Sequence, residues 1–194
     1  PDPEKYFEQL VYEEDIWSYI TDDVEALKGS FEGQETSFGY SLTFGLFQGS
    51  EDVFGLVEFV YPNTPAAEAG LKRGDLIHEM NGASISQSNY RDLLNAESLS
   101  ISFGQYSEQR GIINTVTKDL VARELSLNPV LTTNIVEHEG HKIGYLFYAQ
   151  YIGKFNHSLD TAFQYFMEEQ ITDLVIDLRY NPGGGTDAAR HLCS

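Results

Sequence analysis

The chain has 194 residues, enough for one sizeable domain or two small ones around a real core. Its 12 basic against 30 acidic residues leave a net charge of -18, which argues against nucleic acid or an anionic membrane surface as partner. With 41% apolar and 13% aromatic residues, that charge belongs on a folded surface and not on a disordered acidic chain.

Cys193 is the single cysteine, so neither an internal disulfide nor a cysteine-based metal site is available. No apolar run approaches the length of a membrane span, and no basic-then-apolar start reads as a signal peptide. Opening on Pro1 and stopping just past Leu192, the chain is expected to be cut at both ends, with any targeting information elsewhere.

Residues 3–27 read as helical. Tyr6, Phe7, Leu10, Val11, Ile16, Trp17 and Ile20 recur at spacings of one, three and four, with Pro3 near the start. Thr21-Asp22-Asp23 then caps a second short helix running to Leu27 and closed by Gly29. The carboxylates Glu13, Glu14, Asp15, Asp22 and Asp23 are read as a solvated face in preference to a metal cluster.

From Ser37 the period changes to two. Residues 39–47 and 54–61 are strand-like around the polar turn 48–52, and Pro65 opens a short helix over 66–69 that Gly70 stops. Residues 74–80 form a strand and Asn81-Gly82 a tight turn. An amphipathic helix over 87–95 follows, with Tyr90, Leu93 and Leu94 on one face, then strands at 99–103 and 112–125. The pattern is a small, partly open β-barrel with two helices.

The run Tyr61-Pro62-Asn63-Thr64-Pro65-Ala66-Ala67-Glu68-Ala69-Gly70-Leu71-Lys72-Arg73-Gly74-Asp75, with the strand ending in Asn81-Gly82, resembles the central segment of PDZ domains of the bacterial protease type. The resemblance implies a peptide groove between the strand that starts near Gly39 and the helix carrying Tyr90, Leu93 and Leu94. Backbone N–H groups around Phe38, Gly39, Tyr40 and Ser41 would hold a terminal carboxylate while the peptide adds as an edge strand, with Leu42 also among the peptide-binding residues. The bland alternative is that these apolar residues are plain core.

Beyond Asn128-Pro129 the sequence predicts strands at 135–137 and 143–147 around Glu139-Gly140, and a helix over 159–167. Leu174, Val175, Ile176 and Leu178 make a short apolar run, the signature of a strand buried on both faces. Asp177, Arg179 and Asn181 crowd its end and Pro182 stops it. Gly183, Gly184 and Gly185 can then turn N–H groups into a concave patch that suits oxyanions.

Ile143-Gly144-Tyr145-Leu146 and Asp177-Leu178-Arg179-Tyr180-Asn181-Pro182-Gly183-Gly184 closely resemble the start of the catalytic domain of the carboxyl-terminal processing, or tail-specific, proteases of peptidase family S41. Gly185-Thr186 departs from the aliphatic residues usual there. The resemblance implies an α+β chain: a helical segment at 1–35, a PDZ domain at 36–126, and at 127–194 the first part of an α/β core of the ClpP/crotonase-like kind. It implies a serine endopeptidase acting on polypeptide C-termini, its serine and lysine beyond Ser194, with a backbone N–H of Gly183 or Gly184 in the oxyanion hole. This chain alone is expected to be inactive. No cofactor, metal or nucleic acid is implied, the oligomeric state is left open, and a cell-envelope location, periplasmic or lipid-anchored, follows from the family alone.

Other chemistries fit less well. Gly183-Gly184-Gly185-Thr186-Asp187-Ala188 imitates a dinucleotide fingerprint, but Arg179 to Pro182 separate the glycines from the strand. His138-Glu139-Gly140-His141 has its histidines three apart around a turn glycine, wrong for a zinc helix. A non-catalytic PDZ binding or scaffold protein is the alternative function, and carriage of a small apolar ligand is a third, by fold analogy only.

Overall fold

The computed structural model describes all residues except 1, 13, 16 and 17. Helix α1 (Pro3–Glu8) starts where Asp2 accepts the Glu4 N–H and Pro3 takes the first turn. The predicted helix ran on to Ile20, but the described residues beyond Glu8 form turns and bends, with Leu10, Tyr12 and Tyr19 exposed. An amphipathic stripe with no surface to pack against does not repay helix nucleation and growth. Of the carboxylates read as a solvated face, Glu13 lies outside the described residues, Asp15 bonds Ser18, and Asp23 caps the next helix. That helix, α2 (Val24–Phe31), passes through Gly29 and ends before Gly33, whose φ of 71° is the left-handed one a helix end uses.

Strand β1 (Gln34–Ser37) leads into a six-stranded sheet formed by β2 (Tyr40–Leu46), β3 (Asp52–Val60), β4 (Asp75–Met80), β5 (Ala83–Ser86), β6 (Ser98–Ser107) and β7 (Gly111–Val121). The order is β2-β3-β5-β4-β6-β7, with β3 also pairing β4, so the sheet curls without closing. Helices α3 (Pro65–Ala69) and α4 (Asp92–Asn95) complete this barrel. Its core holds Phe38, Val57, Ile77, Ile85, Leu93 and Ile101.

Two expectations need correction here. The helix predicted over 87–95 is only its last four residues, because the Asn89 side chain accepts the Ser86 N–H and makes a turn of what precedes. The strand predicted over 112–125 is two strands. It breaks at Ala122, and β8 (Arg123–Ser126) leaves the barrel to pair antiparallel with β1.

The remaining sheet has the order β11-β10-β9. Strands β9 (Val130–His138) and β10 (His141–Tyr148) form a hairpin through Glu139-Gly140, both at positive φ, as a two-residue hairpin turn requires. A 3-10 turn at Gly153–Phe155 and helix α5 (Asn156–Glu168) then cross over to β11 (Asp173–Asp177), which runs parallel to β10. Leu159, Ala162 and Phe166 of α5 bury against Leu146 and Tyr148. Contrary to expectation β11 is not covered on both faces: it is an edge strand, with Leu174 41% and Val175 47% exposed. Helix α6 (Thr186–Leu192) closes the order. Among the described residues no helix is long and apolar enough to cross a membrane.

Candidate functional site

The end of β11 is locked before the glycines begin. The buried Asp177 carboxylate accepts Arg179 Nε at 2.9 Å on Oδ1, Arg179 Nη2 at 2.6 Å on Oδ2, and the Tyr145 hydroxyl at 2.6 Å on Oδ2. These donors, the arginine above all, hold the Asp177 carboxyl well below the usual carboxylate range although burial pushes the other way. The Tyr145 hydroxyl is pushed up by its bond to the same carboxylate and by burial.

Asn181 then braces the loop from inside. Its Nδ2 donates to the Tyr148 carbonyl at 3.1 Å and its Oδ1 accepts the Gly183 N–H at 2.8 Å. Tyr151 N–H donates to the Gly183 carbonyl at 2.9 Å, and Gly185 N–H to the Tyr151 carbonyl at 2.8 Å. Gly184 sits between these bonds with φ at 136°, and a Cβ there would run into the Tyr151 carbonyl. Glycine is thus required twice over, by dihedral and by space. Among the described residues the Gly184 N–H meets no acceptor. Beside it opens a cavity of about 450 Å3 whose lining includes Phe31, Tyr151, Lys154, Gly184 and Asp187.

Of the two glycines singled out from sequence, Gly183 therefore has its N–H engaged and Gly184 has its N–H free for a ligand. Sequence reading named Asn181 only as part of the crowded strand end. It missed Tyr151 altogether, since Tyr151 contributes backbone and no side-chain signal.

The groove residues are placed as follows. Among the described residues strand β2 pairs only with β3, which makes it an edge strand. Phe38 is buried in the barrel core and Gly39, at φ 79°, turns the chain into β2. The Ser41 hydroxyl donates to Glu58 at 2.7 Å, and Leu42 packs on the core. The Tyr40 hydroxyl donates to the Leu93 carbonyl, which ties β2 to α4, and burial pushes the Tyr40 phenol up. Tyr90 meets Phe44 edge-on at 4.9 Å between ring centroids. Leu93 is wholly buried while Leu94 points out, 45% exposed, so the groove face predicted for the pair is split.

Barrel and core meet at an aromatic joint. Phe59 packs edge-on against Phe147 at 5.4 Å, and Tyr180 lies beside both. Arg73 donates to the Tyr180 hydroxyl at 2.9 Å and stands 4.9 Å over its ring. The histidines of the His138-Glu139-Gly140-His141 run face carboxylates: His141 bonds Asp173 at 2.7 Å and His138 faces Glu139 across 3.9 Å.

Comparison with known proteins agrees with this layout. The family model described as peptidase family S41 matches residues 142–194, and that of the PDZ domain matches residues 56–101. A chloroplastic C-terminal processing peptidase of Tetradesmus obliquus is 26% identical over 86% of the chain and 39% of its own length. The carboxy-terminal processing protease CtpB of Bacillus subtilis (strain 168) is 26% identical over 82% of the chain and 32% of its own length. The chain thus spans well under half of either relative. A crystal structure assigned to the S41 proteases, from Bacteroides fragilis, superposes with a TM-score of 0.67 at 27% identity, covering 94% of this chain and 54% of that one. The photosystem II D1 C-terminal processing protease shares the fold, with a TM-score of 0.53 at 24% identity over 84% of this chain and 44% of that one. With a PDZ segment and an S41 segment following one another in that order, the chain is similar in layout to the PDZ-bearing carboxyl-terminal processing proteases of peptidase family S41.

Proposed function

We propose that the parent protein is a serine endopeptidase that recognises polypeptide C-termini through the groove of Phe38 to Leu42, Tyr90, Leu93 and Leu94 and cleaves with a serine activated by a lysine, both outside residues 1–194. In this reading the present chain is the substrate-recognition part together with one donor of the oxyanion hole, and it works in the cell envelope, periplasmic or lipid-anchored. A neutral lysine would take the serine's proton, which asks for an amine held at lowered pKa by burial.

What carries the reading is the Gly184 N–H, without an acceptor among the described residues, in a glycine that lines a cavity, on a loop fixed by Tyr151 and Asn181. A donor held in place before substrate arrives needs no reorganisation when charge develops on the carbonyl oxygen. Gly183 contributes differently: its N–H is held by Asn181, so it shapes the loop while Gly184 donates.

The test is to replace Gly183 and Gly184 singly by alanine in the full-length protein. Gly184→Ala is expected to lower turnover by on the order of a hundredfold or more, with a smaller loss for Gly183→Ala and peptide affinity at the barrel unchanged in both. Turnover that stays near normal in Gly184→Ala, or falls only in step with thermal stability, removes the oxyanion role.

A further inference from the structure

The groove along β2 has a second chemical feature at the end away from Gly39. A cavity of about 140 Å3 lies there, lined by Phe44, Gly45, Leu46, Val53, Gln87 and Tyr90, mostly apolar apart from the Gln87 amide and the Tyr90 hydroxyl. Its walls are fixed. Phe44 and Tyr90 are locked edge to face, Val53 belongs to the buried core, and Gly45 lies so close to the Phe54 ring that no side chain fits between. Leu46, in the same lining, is 53% exposed.

Strand geometry decides which residue of an added peptide would reach this cavity. Directly opposed residues of an antiparallel pair place their side chains on the same face of the sheet. Tyr40, Leu42 and Phe44 all turn to the face packed on the barrel core. A peptide whose last residue faces Tyr40 therefore has the residue two earlier facing Leu42 and the residue four earlier facing Phe44. That residue lies about 14 Å along the strand at roughly 3.4 Å per residue. At the carboxylate end the Tyr40 hydroxyl already bridges the space to the Leu93 carbonyl. Discrimination by side-chain shape is left to the far end, where an apolar cavity is open.

We propose that the cavity between Phe44 and Tyr90 is a specificity subsite for an aliphatic side chain four residues before the C-terminus of the bound polypeptide. It rests on the reading of β2 as the carboxylate-capturing edge. The substrate class that follows is a tail with an apolar anchor set back from its end, not merely an apolar end.

The test is fluorescence anisotropy of the 194-residue chain with labelled eight-residue peptides that end in a free carboxylate and carry leucine four residues before the end. Changing that leucine to serine is expected to weaken binding by about tenfold, the loss of one buried aliphatic side chain. Moving the leucine one position either way should not restore it. Leu46→Glu, at an exposed position, should reverse the preference so that lysine four residues before the end binds better than leucine. Amidating the terminus separates the two ideas. If free and amidated peptides bind alike, or neither binds, the carboxylate reading fails and the subsite falls with it. If the free terminus is preferred but the serine peptide loses less than twofold, or Leu46→Glu leaves the preference unmoved, the groove stands and the subsite is wrong.

Discussion

Asn181 holds two backbone groups at once, and this lets a loop with three glycines keep one shape. Its Nδ2 reaches the Tyr148 carbonyl on β10 while Oδ1 takes the Gly183 N–H, so the loop is tethered to the sheet. Asp177 does the equivalent work at the strand end with charge. Its carboxyl is ionised more readily in the folded chain than in the unfolded one, where an aspartate titrates near ~3.9. The stabilisation is therefore fully present above about pH 4 and is lost as the pH falls through the lowered folded-state value. Asp177→Asn should cost about 1 to 3 kcal/mol at neutral pH, nearer the lower figure because Arg179 is largely exposed. Urea unfolding of both proteins from pH 7 down to pH 2 checks this: the gap between them should shrink towards the acid end. A gap independent of pH would mean that the carboxyl matters for shape alone.

At the scale of elements, α3 shows how a five-residue helix can hold a binding loop in place. Thr64 caps it by accepting the Ala67 N–H at 3.3 Å, its hydroxyl donates to the Tyr61 carbonyl at 2.7 Å, and the Ala66 N–H donates to the Phe38 carbonyl at 2.9 Å. A Cβ at Gly39 would collide with the Thr64 side chain. Gly39→Ala should therefore destabilise by more than the roughly 1 kcal/mol expected for a positive φ alone. In a Thr64→Gly background, which removes the clashing Cβ as well as the rest of the side chain, its added cost should fall back towards that figure. Thermal melts of the two single variants and the double variant decide it; strict additivity would mean that the two side chains do not meet.

This helix was legible in the sequence because every signal it uses is local: Thr64 as cap, Pro65 in the first turn, Gly70 in the left-handed stop. The segment before α4 misled for the converse reason. Tyr90, Leu93 and Leu94 carry a helical spacing, while the turn is decided by one bond from Ser86 to Asn89. Strand β1 left no trace, since Gln34, Glu35 and Thr36 are all exposed and polar and become a strand only by finding β8. In the candidate site the glycine run was legible and its division of labour was not. Which N–H stays free is set by the Asn181 side chain, which takes the Gly183 N–H, and by the backbone of Tyr151, distant in sequence, which takes that of Gly185.

For the whole molecule the net charge of -18 acts against a ligand that ends in a carboxylate. At physiological ionic strength charges beyond about 8 Å are largely screened, and at low salt they are not. Peptide affinity for the chain is therefore expected to rise as salt is increased from low values, opposite to a binding driven by attraction of opposite charges. Anisotropy titrations over a salt series with the same peptide measure it, and affinity falling steadily with salt would point to a local basic contact as the dominant force. Placement of the barrel on the core comes from the aromatic joint of Phe59, Phe147 and Tyr180, with Arg73 clasping the last of these. Continuity of the chain comes from another place. Residues 38–122 leave and re-enter through the single antiparallel ribbon of β1 and β8, whose strands run about 4.8 Å apart. Seen from the rest of the polypeptide, the entire barrel occupies the position of a hairpin loop. A tight turn, or an unrelated binding module with adjacent ends, could be spliced between Ser37 and Arg123 without rerouting the backbone, leaving the rings of Phe147 and Tyr180 and the Arg123 guanidinium among the groups that lose their neighbours.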